Sequence, residues 1–89
     1  GSTDALDRAV MTTRLAIADG SLNDANLLVD QTTLAELLLT RYLANDDPED
    51  HGAAAILVAE VMARTPADSP HHLCREALRV RLEELKPSD

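Results

Sequence analysis

Eighty-nine residues bound a single domain with room for a modest core, and a lone chain of that size is expected to be marginally stable. The 45% hydrophobic content is almost wholly aliphatic, with Tyr42 the one aromatic side chain, which argues against a β-sandwich and suits helices that approach each other closely. A formal net charge of −8 repels phosphate backbones and anionic lipid surfaces, so composition speaks against nucleic-acid and membrane binding.

Gly1-Ser2 reads as a cloning scar on a piece trimmed from a larger protein, followed by one four-helix domain over 3–86 and a tail over 87–89. Thr3, or Ser2, can cap a first helix, with Asp4 and Asp7 favourably placed in its first turn. Leu6, Val10, Thr13 and Ile17 form a stripe with Ala9 and Ala16 alongside, which predicts helix one from about Asp4 to Ala18. Asp19-Gly20 stops it, because Gly20 takes the left-handed conformation at little cost.

Ser21 with Asp24 three residues on resembles a capping box, so helix two is expected from about Leu22 to Ala44. Its second half, Thr33 to Leu43, is the hub of the chain. Leu34, Leu38 and Tyr42 make one stripe, Ala35, Leu39 and Leu43 a second, and Leu37 widens the pair, so most of the circumference is apolar and neighbours are expected on several sides. The run is too short to span a bilayer, and Glu36 and Arg41 interrupt it.

The next boundary is the clearest. Asp47 is the expected N-cap, Pro48 fits N1 where a missing N–H costs nothing, and Glu49 and Asp50 face the positive helix end, opening helix three from Pro48 to about Arg64. Ala53, Ala54, Ala55 and Ala59 keep it thin, while Ile56, Leu57, Val58, Val61 and Met62 supply volume. Thr65-Pro66 ends it, and Ser69-Pro70 is expected to open helix four from Pro70 to about Leu85. Cys74, Leu78, Leu82 and Leu85 share one face of that helix, and Leu73, Ala77 and Val80 a second. Short loops make consecutive helices antiparallel. The acidic run from Asp46 to Asp50 and the basic residues from Arg75 to Lys86 give oppositely charged segments, a pattern that favours head-to-tail contact with a second copy or with flanking sequence.

Helices one and two overlay helices three and four with weak self-similarity: Val10 and Leu15 fall on Ile56 and Val61, and Leu34 and Leu38 on Leu78 and Leu82. Spacings of this size belong to helix-pair repeats. The run from Leu34 to Pro70, with Arg41-Tyr42 ending one helix, Asp47-Pro48-Glu49-Asp50 opening the next and Thr65-Pro66-Ala67-Asp68-Ser69-Pro70 closing the unit, resembles tetratricopeptide-type repeats of large actinobacterial multidomain proteins. The general family's small, small, apolar and Pro positions correspond to Ala54, Val58, Val61 and Pro66. Ala35 and Val58 depart from the usual Gly and aromatic, and the first helix pair has Gly20 in place of the closing Pro. The resemblance implies an all-α stack of four antiparallel helices, arranged as right-handed helical hairpins that bind other proteins without catalytic residues; the alternative is a closed four-helix bundle serving as the docking or oligomerisation domain of an enzyme or regulatory protein.

His71, His72, Cys74 and Glu76 are the sole cluster with metal-ligand chemistry, but Cys74 points roughly opposite to His72 and no second ligand pair occurs, so no metal and no cofactor is expected. Cys74 is read as a small buried hydrophobe and His51 as a solvated first-turn residue. Ser69 and Cys74 lack an oriented base, and no Gly-rich phosphate loop is present, so no enzyme activity is expected. A single cysteine forms no internal disulfide, and nothing resembles a signal peptide, which makes a cytoplasmic origin the default. The candidate interaction surface comprises Leu73, Ala77 and Val80, with Arg75 and Arg79 steering towards acidic sequence and Tyr42 as a possible aromatic anchor whose spacing points to the core. The expected partner is a protein or peptide, or a second copy meeting the chain through its terminal helices.

Overall fold

A computed structural model describes residues 4–21 and 23–87, which form α1 (Asp4–Asp19), α2 (Asp24–Asn45), α3 (Pro48–Ala63) and α4 (His72–Glu84), with no strand among the described residues. The protein is all-α. The caps expected at Thr3 or Ser2 lie outside the described residues. Gly20 adopts φ +73° after α1, the left-handed conformation that glycine enters without a Cβ penalty, and its N–H donates to the Ile17 carbonyl at 3.3 Å.

The start of α2 differs from the capping-box expectation. Asn23, extended at φ −72° and ψ 169°, is the cap, and its side-chain oxygen accepts from the Asn26 N–H at 2.9 Å. An asparagine one residue before the helix does the work assigned to Ser21, because its short amide reaches the third free N–H directly. At the other end Asp46 turns left-handed at φ 60° and donates its N–H to the Tyr42 carbonyl at 2.6 Å.

Asp47 caps α3 as expected, accepting from the Glu49 N–H at 3.0 Å, with Pro48 in the first turn. The opening of α4 is later than expected. Ser69 accepts from the His71 N–H at 3.1 Å, and the His72 N–H bonds back to the Ser69 carbonyl. Ser69 and Pro70 thus close a separate turn, and the helix begins after it.

Packing follows chain order. α1 packs on α2, α2 shares its broadest interface with α3, α3 packs on α4, and α2 also touches α4, whereas α1 and α4 are not neighbours. This is an open stack and not the closed bundle, in which the first and last helices would meet. Arg41 near the end of α2 reaches Asp7 at the start of α1 and Asp50 at the start of α3, and His51 at the start of α3 reaches Leu82 near the end of α4. Consecutive helices are therefore antiparallel, and α2 and α4 run side by side in the same direction.

The core is centred on α2. Leu34, Ala35, Leu38, Leu39 and Tyr42 are buried with Val10 of α1, Ala54 and Val58 of α3 and Leu82 of α4. Each fully buried Leu or Val side chain contributes about 1.5 to 3 kcal/mol relative to exposure. Ala35 of α2 and Ala54 of α3 have no exposed surface at all. No helix among the described residues is long and apolar enough to cross a membrane.

Candidate interaction groove

Two polar arrangements at one end of the stack hold the helices in register. In the first, Arg41 Nε and Nη2 donate to the two Asp50 carboxylate oxygens at 2.9 and 2.8 Å, and Nη1 donates to Asp7 Oδ1 at 3.1 Å. The fork of the guanidinium matches the carboxylate bidentately, which fixes geometry as well as charge. The Arg41 pKa is raised above its ordinary value, chiefly by the hydrogen bonds it donates to Asp50, against a smaller cost of burial. In the second, the Tyr42 hydroxyl donates to the Leu85 carbonyl at 3.2 Å, His51 Nε2 donates to the Leu82 carbonyl at 2.6 Å, and the two rings meet edge to face at 5.3 Å.

These contacts correct one expectation and settle the place of Tyr42. His51, 8% exposed, is a buried helix-to-helix strut and not a solvated first-turn residue, because α4 ends over the start of α3. Tyr42 is buried, as its spacing with Leu34 and Leu38 predicts, and its hydroxyl is committed to α4, so it belongs to the core and not to the exposed surface.

Arg75 does not steer a partner either. It is 6% exposed and its Nη1 donates to Thr65 Oγ1 at 2.8 Å, while Thr65 donates to the Val61 carbonyl at 2.7 Å. The first turn of α4 lies against the last turn of α3, whose carbonyl end carries partial negative charge and favours a cation. Arg79 is exposed but held by Glu76 one turn earlier. Hydrogen bonding from Arg79 keeps the Glu76 carboxyl below its ordinary pKa, and Glu76 in turn raises that of Arg79. Cys74 is exposed, contrary to its reading as a buried hydrophobe, because in the first turn of α4 the inward position is taken by Arg75, in line with Leu78 and Leu82. No group of three or more potential metal ligands occurs among the described residues.

The apolar residues of the expected surface do come together. Leu73, 80% exposed, with Ala77 and Val80, lines an open groove of about 660 Å³ along α4, and Leu43 and Leu85 complete its apolar wall. Glu76, Arg81 and Glu84 form its charged rim. The groove continues into a depression of about 290 Å³ between α2 and α4, where Glu36 and Thr40 face Cys74 and Leu78. Leu43 was not part of the expected surface. Its place in the second stripe of α2 assigned it to the core, but it is half exposed and faces the groove beside α4.

The acidic segment after α2 and the end of α4 lie beside one another, with Asp46 and Pro48 across a shallow pocket from Lys86. Charges that are separated in sequence are thus adjacent in space, and the chain is not polarised end to end by them. Comparison with protein-family models, with curated proteins and with solved structures returned no match in any of the three.

Proposed function

We propose that the chain is a non-catalytic, cytoplasmic protein–protein interaction module of tetratricopeptide-like design, whose docking surface is the groove along α4. The observation that carries this reading is the grouping of Leu43, Leu73, Ala77 and Val80, all exposed, from two parallel helices on one concave face. Contiguous apolar surface with a charged rim is the usual mark of a site for another protein. The punctuation at Arg41-Tyr42, Asp47-Pro48 and Thr65-Pro66 supports the repeat resemblance, as does the packing of α3 against both α2 and α4. With Arg75 buried and Arg79 paired with Glu76, the rim charges that remain are Arg81 and Glu84, which balance, so the fitting partner is an amphipathic helix held chiefly by its apolar face.

The test is an amide chemical-shift titration with a synthetic amphipathic helical peptide bearing Leu at positions i and i+4. Resonances of Leu43, Leu73, Ala77 and Val80 should move together, and Val80→Glu should abolish the effect. Shifts confined to residues outside the groove, or none at millimolar peptide, would overturn the reading.

A further inference from the structure

The outer face of α1 is an apolar surface separate from the α4 groove. Of the other helices α1 packs on α2 alone, and the side it turns away carries Met11 and Leu15, 64% and 65% exposed, with Arg8 one turn earlier and Ala18 one turn later, also exposed. Arg8, Met11, Leu15 and Ala18 follow one another at steps of three, four and three residues, the spacing at which a helix presents a straight seam to another helix. Asp19 stands beside Ala18 and ends the seam with a charge opposite to that of Arg8. Neither Arg8 nor Asp19 takes part in an ion pair among the described residues, whereas Asp7 is held by Arg41. Asp7 and Arg14 lie together on the flank of Met11 away from Arg8 and Asp19.

We infer that this seam pairs with its own copy, α1 packing antiparallel on α1 of a second chain about a two-fold axis. When Met11 faces Leu15 of the other copy, Arg8 is level with Ala18 there, and Asp19 lies one residue, about 1.5 Å, further along. The contact is made twice, so two Arg8 to Asp19 ion pairs bracket two Met11 to Leu15 contacts. Charge complementarity selects both the occupant and its direction. A base at one end of the seam and an acid at the other match the same seam reversed, whereas a parallel arrangement would set Arg8 against Arg8 and Asp19 against Asp19. In the antiparallel register Asp4 falls beyond the end of the opposing helix. The contact is closed, so association stops at the dimer and leaves the α4 groove open. A single 16-residue helix from each copy covers less than the about 1,600 Å² of a standard interface, which makes the dimer weak and its population dependent on concentration.

Sedimentation from micromolar to millimolar concentration tests this. The parent should rise from the mass of one chain to that of two and no further, and Met11→Glu/Leu15→Glu should stay monomeric. Arg8→Glu sets an acid against Asp19 and Asp19→Arg sets a base against Arg8, so each alone should weaken the dimer about tenfold. An equimolar mixture of those two variants should regain the parent's affinity, because each new charge then meets its opposite in the other chain. All four positions are exposed, and unchanged helical circular dichroism establishes that each variant is folded. A mixture that fails to recover would overturn the antiparallel pairing. A parent that stays monomeric, or that grows beyond the dimer, would overturn it too, and so would a dimer indifferent to Met11→Glu/Leu15→Glu.

Discussion

His51 on the first turn of α3 and Leu82 near the end of α4 are joined by a 2.6 Å hydrogen bond between the imidazole Nε2 and the backbone carbonyl. Accepting from the ring fixes Nε2 as the protonated nitrogen. The bond ties the start of α3 to the end of α4, as the Arg75–Thr65 bond ties their other ends, and Tyr42 of α2 repeats the device one turn later through Leu85. His51→Ala should cost about 2 to 3 kcal/mol, from a buried carbonyl left without its donor and from the lost ring contact. Tyr42→Phe should cost about 1 kcal/mol. Urea denaturation of both single variants and the double variant checks the values, and strong coupling is expected because the two rings touch.

The Arg41 clasp has two unequal legs. Asp50 retains only 9% of its side-chain exposure, whereas Asp7 retains 52%. Arg41→Met should destabilise by about 3 kcal/mol, since it strands a buried carboxylate, while Asp7→Ala should cost about 0.5 kcal/mol. Raising the salt concentration should erase the Asp7 effect and leave most of the Arg41 effect, because only the exposed leg is screened. Equal denaturation midpoints for the two variants would refute this division.

Asp47 accepts a single described side-chain bond, from the Glu49 N–H, and sits at the positive end of α3. Asp47→Ala should therefore cost about 0.5 to 2 kcal/mol, and Asp47→Asn, which retains an acceptor, clearly less. Thermal melting of the pair separates the hydrogen bond from the charge.

Leu38 has no exposed surface and is among the largest fully buried side chains. Leu38→Ala should cost about 2 to 5 kcal/mol, enough to unfold a marginal domain, because Ala35 and Ala54 are too short to fill the space. Leu38→Met, which conserves volume, should cost less than about 1.5 kcal/mol. A shift of only a degree or two for Leu38→Ala would mean that α2 is not the hub.

The sequence by itself determined the four helices, the left-handed stop at Gly20, the Asp47-Pro48 start and the burial of Leu34, Leu38 and Tyr42, because caps, prolines and apolar periodicity act within a turn or two of chain. Competing caps were not resolvable at that range, and Asn23 prevailed over Ser21 while Ser69 spent its oxygen on a turn. The grouping of Leu73, Ala77 and Val80 was legible from helical spacing, and the part of Leu43 in it was not, since spacing within α2 does not say which residues of α4 lie beside it. Tertiary structure alone decided the fates of the polar residues. Periodicity assigns a side chain to a face, but whether Arg75 meets water or the carbonyl end of α3, and whether His51 is solvated or bonded to Leu82, is set by which helix arrives opposite. The same placement, by keeping α1 and α4 apart, left Met11 and Leu15 of α1 exposed together with the groove along α4.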